Sequence, residues 1–176
     1  MSLNKVSQSV LSAISSVLGD QTAGFNPGIV ANAPNYQLPT FVQLDFSSTS
    51  KNFLLSQVDP ALIDETGILT YPFACLYIKE SAQTNTQKFN QFSGQIRAIL
   101  EVNLSWTNIK GLQNTEAYCN CVEDVVIDVM NRTTNQNWPF PVVYNGMIQT
   151  KRGSVLWGSQ NFKQSIGFSM IFEVHQ

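Results

Sequence analysis

The sequence predicts an α+β domain: a mainly antiparallel sheet covered on one face by two helices, with a long N-terminal loop arm and an extended hairpin. Three observations lead there. First, Ile96, Ala98, Leu100, Val102, Leu104 and Trp106 alternate with Gln95, Arg97, Ile99, Glu101, Asn103 and Ser105. In the same way Phe162, Ile166, Phe168, Met170, Phe172 and Val174 are set against Lys163, Ser165, Ser169 and Glu173. A period of two held this long puts one face of a strand in a core and the other toward water. Second, Tyr118, Cys121, Val122, Val125, Val126, Val129 and Met130 recur at steps of three and four, the stripe of an amphipathic helix. Third, the order is helix, long loop, two strands, helix, then two or more strands. Short links between successive strands favour antiparallel pairing, with the helices layered on the sheet.

The elements follow in order. Val6, Val10, Leu11, Ile14, Val17 and Leu18 sit at helical spacing and Gly19 stops that helix. From residue 20 to 50, Pro27, Pro34 and Pro39 interrupt a Gly- and Asn-rich stretch, so an irregular arm is expected. Phe25, Tyr36 and Phe41 are placed to pin it to the body or to a neighbour. Residues 41–46 read as a short strand. Asp59 and Pro60 open a one-turn helix, as cap and first position. Residues 68–79 are apolar on both faces, the pattern of a central strand or one covered by an interface, with Pro72 near its start. Residues 80–93 are polar apart from Ala82, Phe89 and Phe92, and read as a long hairpin loop. After the helix of residues 115–130, Trp138-Pro139-Phe140-Pro141 forms a stiff aromatic loop. Residues 142–150 and 155–157 then read as strand segments. The chain of 176 residues reads as one domain, 1–176, divided into an N-terminal helix (1–19), the arm (20–50) and a sheet-and-helix body (51–176).

Composition narrows the function. Charged residues are 12% of the chain, about half the usual share, and Asn, Gln, Ser and Thr make up roughly a third. A polar surface with few charges is easily desolvated and suits permanent interfaces. The net charge of −2 and scattered lysines give no basic footprint for nucleic acid. Three cysteines do not form a secreted disulfide scaffold. No signal-peptide core or bilayer-length apolar run is present, so synthesis in a reducing cytoplasm is expected.

Little in the sequence points to chemistry. His175, the sole histidine, lies next to the end of the chain. Cys119 and Cys121 stand two apart, and inside a helix such residues point about 200° away from each other. Cys121 and Cys75 read as small core residues. The acidic groups Asp59, Asp64 and Glu65, and Glu123, Asp124 and Asp128, carry no catalytic signature, and no phosphate-cradling glycine motif occurs. No enzyme activity, cofactor or metal is expected.

An amphipathic N-terminal helix leads into a strand pair with a long polar tip. An acidic amphipathic helix follows, and the chain closes on the strand Ser165-Ile166-Gly167-Phe168-Ser169-Met170-Ile171-Phe172-Glu173-Val174. This organisation resembles the tail terminator (tail-completion) proteins and neighbouring neck proteins of tailed bacteriophages. The resemblance covers residues 73–175 in order of elements and leaves out the Pro-rich arm. It implies a homo-oligomeric ring, a hexamer, that caps the tail tube and joins it to the head–tail connector or stopper protein. DNA passes through such a ring without sequence-specific binding, and the ring is part of the virion after assembly in the host cytoplasm. The interface residues expected on this basis are Thr84, Asn85, Gln87, Phe89 and Phe92 of the hairpin, Phe25 and Tyr36 of the arm, and Trp138 and Phe140 of the aromatic loop. A connector, stopper or tail-tube protein, a component of a contractile injection system, and a small cytoplasmic binding module or enzyme are the alternatives.

Overall fold

The computed structural model describes residues 2–38, 43–47, 49–83, 91–106, 114–158 and 161–175. Among them are four α-helices and a six-stranded, mostly antiparallel sheet, an α+β fold. Helix α1 (Leu3–Leu18) buries Val6, Val10, Ile14 and Leu18, each four residues after the last, so one narrow stripe meets the core. Gly19 ends it, its N–H donating to the Ser15 carbonyl at 2.8 Å.

The sheet is built on the two long alternating strands. Strand β2 (Phe73–Gln83) pairs with β3 (Gly94–Trp106). Strand β3 then pairs along its whole length with β6 (Asn161–Val174), and β4 (Val142–Arg152) lies outside β6. Short β5 (Leu156–Gly158) continues that outer edge along β6. Strand β1 (Phe53–Leu54) adds in parallel to the free side of β2. Register places Leu76, Leu100 and Phe168 in one row and Ile96 beside Phe172, all fully buried. Helices α1, α2 (Phe25–Asn32) and α4 (Thr115–Asn131) cover this face and share one core with it.

The sequence expectation of two helices on the sheet is therefore exceeded by one, and α2 arises where an irregular arm was expected. Pro27 is the reason it was hidden. It falls in the first turn of α2, where its missing N–H has no intrahelical partner to lose. A 3₁₀ turn, Ala33–Tyr36, follows with Pro34 near its start. Gly28 lets α2 approach α4 closely: a Cβ there would stand 2.7 Å from Val125 Cγ1. Of the strand expected at 41–46, Phe41 and Val42 lie outside the described residues, and Gln43, Leu44, Asp45 and Phe46 form no strand. Leu44 is buried instead, its N–H donating to Asn26 Oδ1 at 3.0 Å and its carbonyl accepting from Asn26 Nδ2 at 2.7 Å.

Helix α3 (Pro60–Thr66) begins as expected, with Asp59 Oδ1 accepting from the Ala61 N–H at 2.9 Å. It lies on the opposite face of the sheet from the other helices. There Ile63 and Leu69 pack with Phe73 and Cys75 in a second, smaller core. Phe73 and Cys75 lie on this second face while Ala74 and Leu76 point to the main core, which is why β2 reads as apolar on both faces. Strand β2 runs into the expected hairpin loop as far as Gln83, further than its polar sequence implies, while β3 begins at Gly94, just after that loop; residues 84–90 lie outside the described residues.

Candidate functional site

Among the described residues, the second face of the sheet is open beyond the cover of α3. β6 sends Ser165, Gly167 and Ser169 to it, and these small residues floor a trough of 530 Å³. Register defines the walls. Glu101 and Lys151 both pair with Gly167, from β3 and β4, so they flank it across the missing side chain. One row along, Ile99 and Gln149 flank Ser169 in the same manner, with Tyr77 beyond Ile99 on β2.

Three cations stand on this trough: Lys79, Arg97 and Lys151. Arg97 Nε lies 2.9 Å from Glu80 Oε1. Burial raises the Glu101 carboxyl above its usual range, and a hydrogen bond from Tyr77 opposes that shift. Burial, followed by the neighbouring Glu101, in turn raises the Tyr77 phenol. Lys79 and Lys151 have no ion-pair partner among the described residues. With Glu80 on Arg97 and Glu101 on its wall, the trough carries a net of one positive charge.

Its rim is apolar. Strand β4 is the last strand of the sheet, with β6 on one side and no strand on the other among the described residues. Along it and β5, Val143, Met147, Val155, Leu156 and Trp157 are exposed, Leu156 at 64% and Trp157 at 63%. Such an edge is a template for pairing or packing with another chain. A bulge between Tyr144 and Ile148, with Gly146 at φ +74°, interrupts its regularity.

The helical side has the opposite sign. Helix α4 holds Glu116, Glu123, Asp124 and Asp128 and no base. Arg152, which β4 points to the helix-covered face, clamps it: its Nε and Nη2 donate to the two Glu123 carboxylate oxygens at 2.7 and 2.8 Å. Its other contacts are Glu116 Oε1 at 2.5 Å and Asn120 Oδ1 at 2.6 Å. The bidentate bond to Glu123 raises the guanidinium pKa further, so the clamp stays charged. Arg132 pairs with Asp128 at 2.8 Å, and the Tyr36 hydroxyl donates to Asp124. Two negative charges remain uncompensated on this helix.

The residues expected to form an interface are dispersed. Phe25, Phe92 and Trp138 are buried in the main core of the chain itself. The physical reason is local. Phe25 opens α2 and turns onto Phe46, and Trp138 stacks edge-on against Phe172 at 5.0 Å. Tyr36 is half-buried and tied to α4. Phe140 alone of the described five is exposed, at 90%. Thr84, Asn85, Gln87 and Phe89 lie outside the described residues.

The groups considered for chemistry are likewise apart. Cys75, Cys119 and Cys121 are buried thiols. Desolvation pushes Cys75 and Cys119 up to about 11 and raises Cys121 as well, the opposite of an activated nucleophile. Asp59 serves as a helix cap. No group of three or more His, Cys, Asp or Glu among the described residues is placed to hold a metal ion. No helix among them is long and apolar enough to cross a membrane. Lys79, Arg97 and Lys151 were missed as a group because they come from three strands. Their shared signal is position on the polar side of each alternation, and only strand order makes them neighbours. No protein-family model and no curated protein sequence matches the chain.

Proposed function

We propose that this chain is a structural virion protein, a tail terminator subunit that assembles into a homo-oligomeric ring, a hexamer. The ring caps the tail tube and joins it to the head–neck connector, with DNA passing through it unbound by sequence. The protein is assembled in the host cytoplasm, resides in the virion tail or neck, and acts by assembly and not by catalysis. The observation that carries this is the sheet itself: among the described residues, one face is sealed by three helices, while much of the other, with its apolar edge, is left open. A chain with 12% charged residues has little electrostatic barrier to covering such a surface with protein. The resemblance in element order to tail terminators supplies the specific identity.

Native mass spectrometry of the purified chain, with negative-stain imaging, tests it. The expected result is a hexamer of the 19.6 kDa chain, imaged as a ring with a central channel. A chain that stays monomeric at all concentrations, alone and with tail tubes, overturns it. Stacks of indefinite length would instead identify a tail-tube protein.

A further inference from the structure

We propose that the open trough of the sheet and its β4–β5 edge receive helix α4 of a second copy of this chain, joining copies head to tail. This rests on the oligomeric reading above and adds which surfaces meet.

Shape comes first. Lys151 on β4 and Glu101 on β3 stand on either side of Gly167, two strand spacings apart. That is about 9.5 Å from backbone to backbone, narrower than the ~10–12 Å width of a helix with its side chains, so the helix lies along the mouth of the trough and its side chains reach between the walls. Between these walls the floor is Ser165, Gly167 and Ser169, so a helix meets no bulky side chain on the way in. Charge comes second. With Glu80 on Arg97, the remaining charges of the trough are the ammonium groups of Lys79 and Lys151 and the Glu101 carboxylate, which the neutral Tyr77 phenol hydrogen-bonds without neutralising, so the net is one positive charge. On α4, once Arg152 and Arg132 are counted against four acids, two negative charges are left, and Glu116, Asp124 and Asp128 are exposed. The two surfaces are opposite in sign. Area comes third. Three open strands about ten residues long present roughly 450 Å² in plan. The exposed rim extends this toward the ~800 Å² per partner of a stable interface. On the trough's own face of that edge, Val143 and Leu156, which pair with Glu173 and Lys163, are exposed and apolar, which fits a protein partner and not a phosphate backbone. Because the two surfaces differ and lie on opposite layers, the contact is heterologous, and repeated by a closing rotation it makes a ring.

The test uses two double variants of the full chain. Lys79→Glu with Lys151→Glu makes the trough acidic, and Asp124→Lys with Asp128→Lys makes α4 basic. Each alone is expected to weaken assembly on the order of a hundredfold, from like charges brought together. Mixed in equal amounts they are expected to assemble again, each trough facing a helix of opposite sign. Gly167→Leu is the control for folding defects. A Cβ at 167 meets only the Lys151 carbonyl oxygen, at 3.6 Å, so the fold accommodates it while the trough is filled. It is expected to be monomeric with an unchanged circular dichroism spectrum. If either double variant or Gly167→Leu assembles as the unaltered chain does, this inference is overturned and the ring reading stands. Variants that are monomeric singly and stay monomeric when mixed also overturn it. An unaltered chain that never assembles overturns both. Duplex DNA bound by the unaltered chain and lost with Lys79→Glu and Lys151→Glu, assembly being unaffected, assigns the trough to nucleic acid.

Discussion

The two faces of one sheet differ in almost every respect although the same strands supply them. The helix-covered face is filled by Leu76, Leu100, Phe168 and Phe172, all fully buried under α1, α2 and α4. The open face alternates small residues on β6 with charged and polar ones on β3 and β4, and among the described residues only its β1–β2 side is packed, under α3. A period of two makes this division possible, because each substitution affects one face and leaves the other untouched. The covered face holds the fold together. The open face is therefore free to serve contact with another chain.

That contrast makes graded predictions. The largest effect is expected from Phe168→Ala at the centre of the covered face. It leaves a cavity under α4 and costs about 3–5 kcal/mol, read as a lower urea midpoint with unchanged slope. If it costs less than 1 kcal/mol, the main core is not where stability resides. Next comes Arg152→Ala, which removes the clamp between β4 and α4 and leaves Glu123, only 17% exposed, without its cation. A loss of about 1.5–3 kcal/mol is expected, and Arg152→Lys should recover only part of it, since an ammonium cannot bond both carboxylate oxygens.

The buried thiols sharpen the same contrast through pH. Cys75 and Cys119 are held near 11 in the folded chain against a usual value of 9.0. Their contribution is fully present below pH 9, where both states keep the proton. It is lost between about 9 and 11, as the unfolded chain releases protons that the folded chain retains. Urea melts from pH 7 to 11 should therefore hold level and then fall. Replacing both residues with Ser or Ala should make that decline shallower, the remainder coming from Cys121 and the tyrosines whose phenols are also raised. Labelling at pH 8 should be slow for all three thiols until denaturant is added, and a fast-labelling thiol in the native chain contradicts their burial. The smallest effect is expected on the open face, where Lys151→Ser should change the stability of the isolated chain by less than about 0.5 kcal/mol. A larger loss would mean that the trough is part of the fold's own support.

Much of the architecture is legible in the residues. Strands β3 and β6, helices α1 and α4 and the Asp59 cap of α3 all follow from local periodicity and capping chemistry, because each element states its own buried face. Helix α2 was not legible. Eight residues, with Pro27 among them and apolar groups on no single stripe, are held by contacts with α4 and not by propensity. The aromatics misled for a related reason. Phe25, Phe92 and Trp138 occur in polar or Pro-rich stretches that look like exposed loops, yet each folds back into the core.

The sequence by itself determined the α+β class, the long amphipathic elements and a surface unusually poor in charge, since these depend on neighbours in the chain. Only the tertiary structure decided which residues stand together on the open face. Glu101, Gly167 and Lys151 are far apart in sequence and meet through strand order and register alone. Local pattern fixes which way a side chain faces. Register, set by the packing of the whole sheet, decides what it faces beside.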